Sequence, residues 1–267
     1  MNFNTLKSVF SLRYDDRPMP DRVYEAHGKW AKFLSNFYHR VEHHGFVDEG
    51  LEIARKEHVL FISNHAILLE ALLLNYYLLI QGAGKVATLV YREAFKIPLI
   101  REFFRSCQCV PISIDNGAAW LRKRHVLLFP EGMEFINGFV NPDRVPPFHK
   151  GFLRMAKKYL RTSGKKSLVV IPVAHAGLES SLKLWVIRNK FVMDTLIRPF
   201  INYPYIAIPK LPFLLPKKVN FYWGLPVRLT LKDLSTEKKM CKKMNAFRAS
   251  LLQQKMRAQQ ERDTARL

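Results

Sequence analysis

The sequence lacks a long uncharged apolar segment. A helix that spans a bilayer needs about 18 to 20 consecutive apolar residues. The nearest candidate, Ile67 to Ile80, is 14 residues long and contains Glu70. We therefore expect that the protein, if it meets a membrane, lies on the membrane surface and does not span it.

Cysteines are also scarce. The three cysteines cannot form a disulfide framework, and Cys107-Gln-Cys109 lacks the two-residue gap of common zinc hairpins. We predict reduced, structural thiols, no metal site and a cytosolic compartment. The first 18 residues, MNFNTLKSVFSLRYDDRP, show no long apolar core followed by a cleavage site, so we do not expect a secretory signal.

Acidic residues are few relative to basic ones. Lys and Arg number 43 against 22 Asp and Glu, which gives a formal net charge of +21. Such an excess indicates an anionic partner, which could be nucleic acid, an acidic membrane surface or a phosphate-bearing substrate. Solubility alone is the alternative explanation.

Short apolar runs alternate with helical stretches from about residue 46. The runs are rich in β-branched and aromatic residues and too short for helices. They are VLFIS (59–63), VATLVY (86–91), CVPISI (109–114), HVLLF (125–129), SLVVIPVA (167–174) and VNFYW (219–223). Helices are predicted at 66–80, 94–106, 150–162 and 178–190. This alternation predicts a single α/β domain over 46–230, with a mostly parallel or mixed central sheet flanked by helices.

Amphipathic helices are predicted on both sides of this domain. In segment 1–45 a helix is expected from about Pro20 to His43, and segment 231–267 is expected to form a basic helix. The apolar stripe of that second helix contains Met240, Met244, Phe247 and Leu251 and can continue at Met256. Residues 191–218 contain five prolines among many apolar residues, which excludes a long regular helix there.

The segment FISNHAILLE (61–70) contains the first candidate catalytic residues. A buried strand that ends at Ser63 hands over to a helix for which Asn64 is a suitable N-cap. At mid-helix, a spacing of five residues would turn Glu70 about 140° away from His65. The two side chains therefore meet only if His65 lies at or before the first turn. A carboxylate there holds one ring nitrogen and leaves the other free as a general base.

Three further segments carry polar groups at the ends of apolar runs. HVLLFPEGMEF places Glu131 and Gly132 at a turn that can present a carboxylate to the hydroxyl groups of a polyol. FHKGFLRMAKK begins a helix at which Lys150 and Arg154 can pair with phosphate. LVVIPVAHAG ends a strand with a second histidine, His175.

The order of these motifs resembles the glycerophospholipid acyltransferase family. The matching elements are NH-x4-acid, a strand with proline (VPISI), FPEG, a K-G-x-x-R-x-A helix start and V-x-P-V, over about residues 45 to 230. That family includes the 1-acylglycerol-3-phosphate acyltransferases. The ending PFLLPKKVNFYWGLPVRL and the short gap between VPISI and FPEG are similar to the diacylglycerol acyltransferase type 2 and monoacylglycerol branch.

The resemblance implies transfer of a fatty acyl group from acyl-CoA or acyl carrier protein to a glycerolipid hydroxyl. His65 would be the general base and Glu70 its supporting acid. Asn64, Glu131, Gly132, Lys150 and Arg154 would belong to the substrate site. No cofactor beyond the acyl donor and no metal is implied. The expected partners are a membrane lipid acceptor and an anionic membrane surface, with the protein peripheral or monotopic on the cytosolic face of a membrane.

Three positions depart from the family pattern. Glu70 replaces the usual Asp, Asp115-Asn116 follow VPISI where many phosphate-accepting members carry Arg, and Met133-Glu134 replace the common Thr-Arg after FPEG. The acceptor is therefore left open between a lysophospholipid and a mono- or diacylglycerol. A lipid-binding protein of the same fold without catalysis is the second hypothesis. A nucleic-acid binder, indicated only by the net charge, is the third.

Overall fold

The computed structural model describes residues 41–65, 69–96, 101–102, 104–105, 107–132, 145–180, 184–187, 206–209 and 218–264. Helices within these residues are α1 (Val47–Lys56), α2 (Leu69–Ile80), α3 (Ile114–Leu121), α4 (Gly151–Ser163) and α5 (Glu237–Thr264). The first strands are β1 (Val41–Gly45), β2 (Val59–Ser63), β3 (Val86–Val90), β4 (Cys109–Pro111) and β5 (His125–Leu128). The remaining strands are β6 (Ser167–Ala176), β7 (Leu184–Ile187), β8 (Ile206–Pro209), β9 (Val219–Trp223) and β10 (Val227–Thr230).

The main sheet has eight strands, in the order β1-β9-β6-β2-β5-β3-β4, and β10 pairs with the first part of β6. β2, β3, β4, β5 and β6 run parallel to one another. β9 and β10 run antiparallel to β6, and β1 runs parallel to β9. β7 and β8 form a separate antiparallel pair. The parallel strands therefore share one carboxyl edge and one amino edge.

Apolar side chains fill both faces of this sheet. In β2, Val59 and Phe61 point to a core that includes residues of α1 and α2, whereas Leu60 and Ile62 point to a core that includes residues of α3, α4 and α5. Strands covered on both faces read as continuous apolar runs, because alternate side chains are buried on opposite sides. The sheet is therefore a rigid layer between two helical layers. Because both faces are covered, we expect the functional groups at its edges.

The predicted α/β class is confirmed, and the strands predicted from the apolar runs lie where expected. The largest difference concerns CVPISI: β4 ends at Pro111, because the Ser113 side chain accepts a hydrogen bond from the Asn116 N–H at 2.9 Å and caps α3. The helix predicted at 150–162 is α4. In the segment predicted as a helix at 94–106, residues 101–102 and 104–105 are α-helical, whereas 94–96 belong to a 3₁₀ helix, Arg92–Lys96.

Two secondary-structure predictions are wrong. The first helix was expected to run to His43, but Val41–Gly45 is a strand that pairs with β9. The rest of that predicted helix lies outside the described residues. The segment 178–190 was predicted as a helix, but Leu178–Ser180 is one 3₁₀ turn and Leu184–Ile187 is a strand. The proline-rich segment 191–218 lies outside the described residues, apart from β8 and Lys218.

The C-terminal helix α5 packs across the sheet. Met240, Phe247 and Leu251 are buried as the apolar stripe predicts, but Met256 is 52% exposed. The stripe continues instead through Lys255, which lies one helical turn after Leu251 and is only 5% exposed. In the described part of the chain, no helix has both the length and the apolar content needed to cross a membrane.

Candidate active site

Three parallel strands end at the same place on the carboxyl edge of the sheet. His65 follows β2, Glu131 follows β5, and His175 is next to last in β6. β2 lies between β5 and β6, so its end is flanked by the other two. Ligand sites of open α/β sheets lie outside the carboxyl ends of the strands. These polar groups therefore stand where the fold leaves room for a substrate.

His65 and Glu70 are in direct contact. His65 lies between β2 and α2, and its Nδ1 meets Oε1 of Glu70 in the second position of α2 as that helix is described. Because His65 precedes α2, the spacing of five residues brings the two groups together. The Glu70 side chain is 1% exposed and that of His65 is 17% exposed. With the Nδ1 proton donated to the carboxylate, Nε2 remains as the basic nitrogen.

Phe129 and Glu131 fix the other side of His65. The Phe129 ring stacks on the imidazole with centroids 4.4 Å apart and planes 23° from parallel. The backbone N–H of His65 donates to Oε2 of Glu131 at 3.4 Å. Gly132 has a φ of +58°, which permits the tight turn that aims Glu131 inward. The FPEG turn is therefore a wall of the site in which His65 lies.

Glu131 is a buried acid with unused hydrogen-bonding capacity. Its side chain is 1% exposed, and among the described residues its Oε1 has no hydrogen-bond partner. Burial raises the pKa of Glu131 to about 8, against the opposing effects of Lys255 and of the His65 N–H. At neutral pH this carboxyl group is therefore mostly protonated. A protonated carboxyl can both donate and accept, as a hydroxyl-bearing substrate requires.

Asn64 and His175 tie β2 to β6 directly before the histidine. The His175 N–H donates to Oδ1 of Asn64 at 2.8 Å, and Nδ2 of Asn64 donates to the His175 carbonyl at 3.1 Å. The His175 ring adds a third contact, from Nε2 to the Asn64 carbonyl at 2.9 Å. Asn64 was predicted to cap the next helix and to bind substrate, but its side chain is engaged with β6. Burial lowers the pKa of His175, so the ring is neutral and Nε2 carries its proton.

An apolar cavity of about 260 Å³ adjoins the site. Phe129 contributes to its wall and also stacks on His65, so the cavity and the imidazole share a side chain. Leu89, Leu128, Phe152 and Met155 are among the other residues that line it. Its lining is nearly free of polar groups, which suits a hydrocarbon ligand.

Lys150 and Arg154 lie at the beginning of α4, next to the cavity-lining residue His149. Both cations pair with Glu237 at the start of α5: Lys150 Nζ lies 2.9 Å and the Arg154 guanidinium 3.2 Å from its carboxylate. These bonds lower the pKa of Glu237. The predicted phosphate-pairing groups are therefore joined to α5, and a phosphate would compete with Glu237 for them.

Lys255 is a residue near the site that the sequence pattern did not single out. It belongs to the helix predicted to be basic, yet it is buried, and its charge lowers the pKa of both Glu131 and His175. A signal was present, since Lys255 follows Leu251 by four residues on the apolar stripe. Tertiary packing is what distinguishes a buried lysine from a solvated one.

The described residues contain no group of three His, Cys, Asp or Glu side chains that could hold a metal ion. Cys107 and Cys109 are buried free thiols in a small apolar cluster with Phe95. Burial raises the pKa of Cys109 well above its usual range, so it stays protonated and packs as an apolar group.

Comparison with known proteins finds similarity to acyltransferases. A protein-family model described as Acyltransferase matches residues 45–176. The fold is similar to the crystal structure of the 1-acyl-sn-glycerophosphate (LPA) acyltransferase, PlsC, from Thermotoga maritima. The TM-score is 0.51 and the sequence identity 19%, over 92% of this chain and 85% of that one. Comparison with curated protein sequences gives no match.

The residues that match the acyltransferase model, 45–176, include β2, the FPEG turn, α4 and nearly all of β6. The family-model match agrees with the acyltransferase resemblance expected from the motifs, and the likeness to the PlsC structure supports the expected fold.

Proposed function

We propose that this protein transfers a fatty acyl group from a thioester donor to the hydroxyl of a glycerolipid, with His65 as general base. The observation that carries the proposal is the contact between His65 and the buried Glu70 at the carboxyl edge of the sheet, beside an apolar cavity. The donor is acyl-CoA or an acyl carrier protein. The acceptor is a lysophospholipid or a mono- or diacylglycerol.

His65 and Glu70 act as a pair in this reaction. Glu70 holds the Nδ1 proton and so directs the lone pair of Nε2 toward the acceptor. When Nε2 takes a proton, the Glu70 carboxylate stabilises the imidazolium, and its burial strengthens that interaction because little water screens it. Phe129 holds the ring plane, so little reorientation is needed during the reaction.

The chemical step balances without a covalent enzyme intermediate. Nε2 of His65 removes the proton of the acceptor hydroxyl as its oxygen attacks the thioester carbonyl carbon. The tetrahedral intermediate collapses, the carbon–sulfur bond breaks, and the thiolate leaves. The imidazolium returns its proton to the thiolate, which regenerates the base and releases the free thiol.

The apolar cavity is the proposed site of the acyl chain. Ile112 and Ile114, which are 42% and 38% exposed, lie at its rim and extend apolar surface outward from it. Exposed apolar groups beside a lipid site favour contact with a membrane surface. The excess of basic residues favours an anionic surface, so we propose peripheral or monotopic association with the cytosolic face of a membrane.

Glu131 and its turn are proposed to receive the acceptor. The mostly protonated carboxyl can bond a glycerol hydroxyl group, while Gly132 lets the turn approach closely. An acceptor phosphate would compete with the Glu237 carboxylate for Lys150 and Arg154. No nucleic acid and no cofactor beyond the acyl donor enters this scheme.

An acyl-transfer assay tests the proposal. Labelled acyl-CoA and acyl carrier protein donors are each offered with a panel of lysophospholipids, monoacylglycerols and diacylglycerols. We expect transfer to at least one acceptor, and a fall in kcat of about 10² to 10⁴-fold in His65→Ala, which removes general-base catalysis. His44→Ala in β1 is the matched control, because His44 is half-buried in an edge strand.

Two results would overturn the proposal. Equal transfer by the wild-type protein and His65→Ala would remove His65 as the base. Liposome binding by a wild-type protein that transfers no acyl group in any combination would indicate a lipid-binding protein of this fold.

A further inference from the structure

A second large cavity lies at the opposite edge of the sheet. It has a volume of about 810 Å³ and is open to solvent. Its walls come from the end of α1, the turn before β3, the turn between α3 and β5, and the connection from α4 to β6. These segments precede parallel strands, so the cavity lies at the amino edge.

Cations dominate the lining of this cavity, which we call the basic basin. Arg55 and Lys56 end α1, Lys85 precedes β3, Arg122 to Arg124 separate α3 from β5, and Lys165 precedes β6. Of these cations, Lys56 pairs with Glu52, which lies one turn earlier in α1. Among the described lining residues the only carboxylate is Glu57. It is bonded to Arg228 at 2.6 Å, so its charge is already compensated.

Two arginines of the basin, Arg55 and Arg122, bond neutral atoms of the protein. Arg55 donates to the Gln81 carbonyl at 2.7 and 3.1 Å. Arg122 donates to the Thr162 hydroxyl at 3.1 Å. A guanidinium group has five N–H donors, so these bonds orient Arg55 and Arg122 and leave donors for a ligand. Both side chains belong to exposed residues.

Helix dipoles explain only part of this charge. Cations in the last turn of a helix are favoured by its carboxyl-terminal partial charge. Arg55 and Lys56 occupy the last turn of α1 in this way. The last turn of α3 has no basic residue, and that of α4 has Arg161, which does not line the cavity. The other basin cations lie beyond the helices, and like charges concentrated in one cleft attract anions from solution.

The position of the basin argues against a membrane lipid as its ligand. Ser167 in the basin and His175 at the active site lie eight residues apart in β6, which corresponds to about 26 Å at 3.3 Å per residue. On the proposed function, the lipid acceptor meets the protein at His65, so a flat membrane there does not reach the basin. The buried sheet also separates the basin from His65, which excludes a donor bound in the basin and reacting at His65.

We propose that the basic basin binds a soluble ligand that carries two or more phosphate groups. The volume lies within the range of small-molecule sites, about 300 to 1,000 Å³. Guanidinium groups bind phosphate oxygens through paired N–H donors, and several cations on separate walls suit more than one phosphate. The ligand acts away from the reaction, as an effector or a stabilising anion.

Calorimetric titration with inorganic pyrophosphate at about 0.15 M ionic strength tests this inference, because distant surface charges are then largely screened. We expect saturable binding, one pyrophosphate per chain. Arg55→Gln/Arg122→Gln should weaken it by about tenfold or more, which is about 1.4 kcal/mol. Lys238→Gln/Lys242→Gln is the matched control, because it removes two exposed charges from α5 outside the basin. It should change affinity by less than about twofold.

Three results would overturn the inference. The wild-type protein could fail to bind pyrophosphate at millimolar concentration. Both double variants could lose affinity equally, which would indicate net charge alone. Sedimentation with vesicles of phosphatidylcholine and phosphatidic acid could fall in Arg55→Gln/Arg122→Gln and not in the control, which would make the basin a membrane surface. Acyl transfer is a separate readout, so failure of the proposed function leaves the titration interpretable.

Discussion

β2, β5 and β6 each begin beside the basic basin and end beside the candidate active site, so the same three strands can be compared at their two ends. At the amino end, most of the lysines and arginines are exposed. At the carboxyl end, Glu70 and Glu131 are each 1% exposed and both contact His65.

The difference separates two uses of charge. Exposed cations are screened by water and act over several ångströms to attract anions. Buried carboxyl groups interact strongly with one neighbour, because the local dielectric is low. The formal net charge of +21 therefore indicates little about the reaction at the carboxyl end.

Substitution of Glu70 is expected to have the largest effect on kcat. Glu70→Gln keeps the shape of the side chain but removes the anion that stabilises the imidazolium, so kcat should fall by about 10² to 10³-fold. Glu70→Asp restores a carboxylate and should recover most of that loss. Acyl-transfer kinetics measure both.

Glu52→Gln is the control for that pair, since Glu52 is an exposed acid of α1 paired with Lys56. Wild-type kcat in Glu70→Gln would mean that the anion has no part in catalysis.

A smaller effect is expected from His175, whose ring bonds the Asn64 carbonyl. His175→Leu leaves that buried carbonyl without the ring donor and loosens the segment before His65. We expect kcat to fall by about tenfold with little change in KM. This agrees with the cost of about 1 to 3 kcal/mol for a buried polar group left without a hydrogen-bond partner. His175→Gln, which retains an N–H donor, should recover part of it.

His125 offers the same kind of bond at the other end of the sheet. Its Nδ1 accepts from the Val59 N–H at 3.0 Å, and its Nε2 donates to the Ala83 carbonyl at 2.6 Å. His125→Leu should lower thermal stability while the folded protein keeps its kcat. Equal loss of kcat in His125→Leu and His175→Leu would mean that both histidines matter only for folding.

The apolar cavity gives a selectivity prediction of similar size. Ile112→Trp adds volume at the rim, which shortens the space for an acyl chain. We expect the ratio of kcat/KM for short acyl donors to that for long acyl donors to rise by about tenfold. An apolar pocket discriminates by about this factor against a substrate with one methylene group too many. Competition between two labelled donors measures this ratio. An unchanged ratio would place the acyl chain elsewhere.

The parts of this molecule that follow local rules could be predicted from the sequence. The buried parallel strands are continuous apolar runs. The His65–Glu70 contact follows from the position of His65 between a strand and the helix after it. β1 and α1 were missed because both are short and their residues are not uniformly apolar. α3 was missed because Ser113 ends a run that otherwise reads as one strand.

The parts that depend on topology could not be predicted. The engagement of Asn64 with His175 joins residues 111 positions apart, and only the adjacency of β2 and β6 produces it. The cations of the basic basin come from four separate segments that meet because their strands are parallel neighbours. Composition showed the excess of basic residues but not where they gather.

The last expected effect is on stability and not on catalysis, and it concerns the pH dependence conferred by Glu131. Its folded pKa of about 8 lies above the unfolded value, so the folded state binds the proton more tightly. The stability linked to this group is complete below the unfolded pKa of about 4.3 and is lost as pH rises toward 8, at about 1.4 kcal/mol per pH unit. Glu131→Gln removes that loss. At about 2 to 4 °C per kcal/mol, its Tm should exceed the wild-type Tm by about 10 °C or more at pH 8 and by much less at pH 5. Asp115→Asn, at an exposed acid outside the site, is the control, and calorimetry at the two pH values measures the difference. An equal difference in Tm at pH 5 and pH 8 would mean that Glu131 titrates normally, and the contrast between buried acids at one edge and exposed cations at the other would then lose its energetic basis.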